Sequence, residues 1–176
     1  MRRSLTLLAG PALALLAVVL PAAPAAAAEA SAARTPHVSF ALLTPNIAVV
    51  AQSGPMAQAG DRIEVTGAGR VRLADGTVHA GGTFVHRRGD GTLHCRGVWL
   101  ANALTTWTDL GGRGRHAGII AMRVTHYCAT MNEVHADIPM TVTSTHGLPG
   151  SGYVEGVTVG EFTVPTAGSV LIRVGS

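Results

Sequence analysis

Eight histidines and two cysteines are the side chains of this 176-residue chain best suited to chemistry. The histidines are His37, His79, His86, His94, His116, His126, His135 and His146, and the cysteines are Cys95 and Cys128. Imidazole with thiolate is a ligand set for zinc or copper, and the runs His94-Cys95 and His126-Tyr127-Cys128 bring both types together in sequence. Neither C-x-x-C, H-x-H nor H-E-x-x-H occurs. In an extended strand, neighbours point to opposite faces, so His94 and Cys95 are expected to serve different faces, whereas His126 and Cys128 share one and His86 joins their register. The expectation is therefore no metal and no cofactor.

Nucleophile motifs are absent too. Ser151 lies in Gly150-Ser151-Gly152 just after Pro149, which is a turn and not a G-x-S-x-G elbow. Gly112-Arg113-Gly114-Arg115-His116-Ala117 fits a phosphate-loop spacing, but no helical pattern follows it, so it reads as a solvated loop. The carboxylates Glu64, Glu133, Asp137 and Glu155 fall on outward or loop positions.

The compartment of these cysteines is set by the N-terminus. Arg2 and Arg3 precede an apolar run from Leu5 to Leu20, and small residues follow, which reads as a secretory signal peptide over residues 1–28 with cleavage after Ala28. The run is interrupted by Pro11 and closed by Pro21 short of the ~20 apolar residues of a spanning helix, so no stable membrane insertion is expected after cleavage. All thirteen basic residues are arginines; two leave with the signal, and the other eleven nearly balance ten acidic residues, which argues against nucleic acid as a partner. In a secreted, extracellular or cell-envelope protein, two cysteines predict one bridge, Cys95–Cys128, and closing that loop stabilises the fold by about 3 kcal/mol in the chain-entropy model. The lack of lysine beside abundant Ala, Gly and Arg points to a GC-rich bacterial, actinobacterial source.

The elements that must position these residues read as strands. Residues 29–45 are Ala-rich and aperiodic and are expected to form a flexible leader with at most a short strand at His37–Leu42; residues 46–176 form one β-domain. Ile63, Val65, Val71 and Leu73 alternate with polar neighbours, and Asp75-Gly76 turns the chain into a strand with Val78, Ala80, Gly82, Phe84 and His86 on one face. Cys95, Gly97 and Trp99 share a face of the next strand, Asn102–Arg115 is expected to be a Gly/Arg loop, and His116–Cys128 carries Ile120, Met122, Val124, His126 and Cys128 inward. Strands over Val134–Ser144, with Pro139 at an edge or bulge, over Val154–Val164 and over Ser169–Val174 complete seven or eight. Short hairpin connections predict an all-β fold, a small antiparallel up-and-down barrel of about eight strands, with a β-sandwich as the alternative.

The central hairpin VHAGGTFVHRRGDGTLHCRGVW, with its Gly-Gly-Thr-Phe strand, Gly-rich turn and Gly-x-Trp strand, resembles that of small exported actinobacterial proteins of unknown function, which are similar to allene oxide cyclase and dirigent barrels. The resemblance spans residues 61–130 and implies an eight-stranded barrel with an apolar lumen; it assigns no catalytic residue. The expected function is a non-catalytic binding module for a small apolar ligand, with His86, Val124 and His126 lining the pocket. An isomerase or cyclase of the allene oxide cyclase kind and an extracellular interaction protein with a filled core are the alternatives. Oligomeric state is not specified by any feature of the sequence.

Overall fold

Alternation of apolar and polar residues runs through nearly every segment, and it builds strands throughout. The computed structural model describes residues 35–112, 115–146, 148 and 150–175; the signal segment and the Ala28 site lie outside these, as do Arg113 and Gly114 of the Gly/Arg segment. Among the described residues there are nine strands and no helix: β1 His37–Val50, β2 Arg62–Arg72, β3 Val78–Arg87, β4 Leu93–Gly111, β5 Ala117–Cys128, β6 Glu133–Ser144, β7 Gly156–Val159, β8 Phe162–Ala167 and β9 Val170–Gly175. Every pairing is antiparallel and the order is β2-β3-β4-β5-β6-β7-β8-β1-β9, with a further β1–β2 pairing that closes eight strands into a barrel-like ring.

The strand β1 is the seam. Its first half, His37–Leu42, pairs with β9, and its second half, Ile47–Val50, pairs with β8, while both halves pair with β2 on the other side. The register slips between Leu42 and Asn46, where the partner changes. Beyond β1, β9 reaches across the ring: His116 bridges Ile172, and the Ser144 hydroxyl donates to the Val170 carbonyl at 3.2 Å.

An eight-stranded ring leaves an interior that side chains can fill. Here Trp99, Ile120, Met122, Val124, Met140, Val142 and Ile172 occupy its middle, all essentially without solvent exposure. The Trp99 ring lies where a side chain at Gly67 would stand, and its indole N–H donates to the Thr66 carbonyl at 2.9 Å. A buried Trp is thus fitted into the core with its polar atom satisfied.

Three sequence expectations are corrected. The short strand allowed at His37–Leu42 within the leader expected over 29–45 is present, with Val38, Phe40 and Leu42 alternating inward and partnered on β2 and β9, but it does not end there: β1 runs on through residues 43–45 to Val50, so the leader does not extend to residue 45. The loop expected over Asn102–Arg115 is strand as far as Gly111, held to β5 through three register shifts that absorb its aperiodic residues. The single strand expected over Val154–Val164 is two, β7 and β8, split by a tight turn in which Gly160 has φ 53°. Pro139 sits in β6 beside a bulge, with Asp137 at φ 59° and the β5 register shifted between Val124 and His126.

Candidate ligand site at the barrel mouth

An up-and-down ring gathers alternate turns at one end. The β1–β2 loop, the β3–β4 turn, the β5–β6 turn and the β7–β8 turn all contribute to a cavity of about 290 Å³ at one mouth of the ring. Pro55 and Met56 come from the first, Arg88 from the second, Met131 from the third, and Gly160 and Glu161 from the fourth. Its floor and walls are apolar, made by Ile63, Phe84, Ile138, Val159 and Phe162 together with the Cys95–Cys128 bridge. Around these stand four imidazoles, His86, His94, His126 and His135.

Asp61 organises one side. It is 2% exposed and its carboxylate accepts four hydrogen bonds: from the Gln58 N–H (3.1 Å), the Gly89 N–H (3.0 Å), His86 Nε2 (3.0 Å) and Arg88 Nη1 (3.1 Å). Burial by itself raises the pKa of this carboxyl, but the backbone donor at Gln58 and the His86, Gly89 and Arg88 donors outweigh it and hold the group below its ordinary value. Arg88 Nη2 also lies 3.0 Å from His94 Nδ1, and the His94 ring meets His86 edge-on with centroids 4.6 Å apart. Burial pushes His86 down, with the Asp61 hydrogen bond opposing.

His126 forms the other side and differs in kind. It is 7% exposed, and its ring stacks on Phe84 with centroids 4.5 Å apart and an interplanar angle of 22°. Gly97 of β4 lies between their strands, paired with Phe84 on one side and two residues from the Trp99–His126 pair on the other. A side chain there would strike the Tyr127 carbonyl. Burial, with a smaller contribution from the neighbouring His135, pushes His126 down to about 4, so the imidazole is neutral at physiological pH. Among the described residues it has no hydrogen-bond partner. His135, its cross-strand neighbour on β6, instead lies 3.3 Å from the Glu133 carboxylate.

The structure therefore puts His86 and His126 in the cavity wall and Val124 one inward step below it, fully buried in the filled core. The apolar lumen expected from the resemblance is occupied there by side chains. Cys95 and Cys128 are bridged, with Cα atoms 5.8 Å apart on adjacent strands. His94, expected on the outer face, reaches the mouth beside His86 because the pairing shifts between His86 and Arg87, where β3 passes into its turn. Asp61 and Arg88 were not singled out from the sequence, and His135 was named there only as one of the eight histidines. Asp61 and Arg88 sit at strand ends, where alternation assigns no face; the only signal was that both flank turns that the strands bring to the same end.

Chemically, the mouth offers an apolar slot, a neutral imidazole, two carboxylates at Glu133 and Glu161, and a carboxylate–imidazole pair. Among the described residues no group of three or more His, Cys, Asp or Glu side chains is placed to hold a metal ion. Nor is any described helix long and apolar enough to cross a membrane. No family model matches the chain, and neither the curated proteins nor the solved structures give a match.

Proposed function

We propose that this chain is an exported, non-catalytic binding module that seats a small, largely apolar ligand in the mouth of its β-ring, above the filled core. The observation that carries this reading is the 290 Å³ cavity itself, whose walls are mostly apolar and include a buried imidazole without a partner. The volume is at the small end of ligand pockets, which suits a compact occupant. Export is supported by the Cys95–Cys128 bridge, a feature of oxidising compartments. Native mass spectrometry of protein purified from its own host is the test: a small molecule should co-purify and be lost from Met131→Trp, which fills the lip of the cavity. If nothing co-purifies and lipophilic fluorescent probes fail to bind, the reading is wrong.

A second reading, an isomerase or cyclase of the allene oxide cyclase kind, is favoured by the Asp61–His86 pair, since a buried carboxylate that orients an imidazole is the arrangement of a general base. It is the weaker of the two, because the four donors around Asp61 also explain that carboxylate as the pin of two mouth loops. The filled core favours the third, an interaction protein with no ligand, and that is the reading left if the mouth binds nothing.

A further inference from the structure

At the end of the ring away from the mouth, the outer surface of β1, β2 and β3 is basic. Alternation turns His37, Arg70, Arg72 and His79 outward there, since Val38 and Val71 beside them face the core. The pairing sets these side chains together: His37 stands opposite Arg72, and Arg173, Ser39, Arg70 and His79 form one row across β9, β1, β2 and β3. The two arginines of β2 and the two histidines, with Thr35 and Thr77, line a hollow of about 300 Å³.

The carboxylate beside this hollow orients a guanidinium without cancelling the charge of the face. Asp75 accepts from Arg72 Nε at 2.9 Å and from Nη2 at 2.6 Å, and also from the Thr77 N–H at 3.0 Å. Arg72 Nη2 donates as well to the Thr77 hydroxyl at 3.1 Å, so that hydroxyl keeps its own O–H to give and Arg72 keeps Nη1. Arg70 and Arg173 have no carboxylate partner among the described residues. Like charges gathered on one sheet face repel, and a bound anion would relieve them. A carboxylate ligand brings one charge and two coplanar oxygens; phosphate and sulfate bring more charge and oxygens in several directions, which suits donors converging from three strands. The hollow has the volume of a small-molecule pocket, which leaves room for whatever carries the oxyanion.

We infer that this hollow is a second ligand site, which binds a phosphate or sulfate group, free or carried on a small polar molecule, through Arg70 and Arg72 with the Thr77 hydroxyl beside them. It is separate from the mouth and stands whether or not the mouth holds a ligand. The test titrates glycerol 3-phosphate, inorganic phosphate, sulfate and acetate into the full oxidised protein at fixed pH and ionic strength, while the ring signals of His37 and His79 are followed by NMR. The tetrahedral ions should move both sets of signals saturably, with acetate about tenfold weaker or worse. Tighter binding of glycerol 3-phosphate than of inorganic phosphate assigns the hollow to a phosphate ester, and equal binding assigns it to the free ion. Arg70→Gln should lose about tenfold in affinity for the phosphate probes. Arg96→Gln, which removes an exposed arginine from the mouth end of β4, should bind them as wild type does. Acetate binding as well as phosphate, Arg70→Gln binding undiminished, or Arg96→Gln losing as much as Arg70→Gln leaves only a diffuse positive field and overturns the inference. So does the absence of any saturable shift at His37 and His79.

Discussion

His126 is the residue through which the fold responds to acid. In the unfolded chain its imidazole titrates near 6.5, whereas burial holds it near 4 in the barrel. The neutral form is therefore the one the folded state favours. Above pH 6.5 both states are neutral and the group contributes nothing; as pH falls towards 4 the unfolded state takes up the proton first, and roughly 3 kcal/mol of stability is lost. Urea unfolding of wild type and His126→Phe between pH 7.5 and 4 should give stabilities that part company below about pH 6.5, with the variant the flatter. Parallel curves would falsify the assignment. Asp61 acts at lower pH: its depressed carboxyl contributes stability above its unfolded value of 3.8, and this is lost as pH falls through the still lower folded value. Strand alternation made His126, Cys95 and Cys128 legible in the sequence as one inward set, since each sits inside a regular strand. Asp61 and Arg88 were not legible, because residues beside turns have no fixed face until the ends of four strands are known, and His94 was assigned the wrong face because the register shifts at the start of its strand.

At the scale of the element, the mouth is held by a loop that is itself held by two carboxylates. Residues 51–60 between β1 and β2 fold inward so that Ala57 is buried, with Met56 bonded to Glu161 and Gln58 to Asp61. Gly54 lies where the Glu161 carboxylate crosses the loop, in space that a side chain would take. Asp61→Asn puts an amide nitrogen among donors that need an acceptor and should cost about 3 kcal/mol. Amide exchange should then quicken in residues 51–60 and 88–91 while the β4–β5 ladder stays protected; uniform acceleration across the barrel would count against a local pin. The elements themselves were legible wherever the period was clean, as in β2, β3 and β5. The sequence misled where the period broke without the strand ending: at Leu43-Thr44-Pro45 in β1, where the ring changes partner, and along the outer half of β4, where three bulges keep the pairing going. Only the tertiary pairing resolves such cases, because a bulge and a loop look alike in one dimension.

For the molecule as a whole, closure depends on the last strand. Val170 and Ile172 of β9 are buried beside Val38, Phe40 and Leu42 of β1, and β9 joins that half of β1 to His116 at the start of β5. A chain stopped at Gly168 loses this pairing and uncovers those side chains, a loss comparable to the whole ~5–15 kcal/mol that keeps a domain folded. It should show no cooperative unfolding transition and a collapsed range of amide chemical shifts. The same seam governs how the barrel can assemble. The hairpins from β2 to β6 join neighbours in sequence, but β1 must wait for β8 and β9, so the ring is sealed by a meeting of the two ends of the domain. Such distant pairings set a slow clock, since the entropy of closing the chain is lost before the contacts form. The covalent bridge does little to hasten it: linking Cys95 to Cys128 shortens the path from His37 to Gly175 by 33 residues, about a quarter, which lowers the closure cost by only a few tenths of a kcal/mol. The disulfide thus secures a barrel once made, and the pace of making it is left to the meeting of β1 with β9.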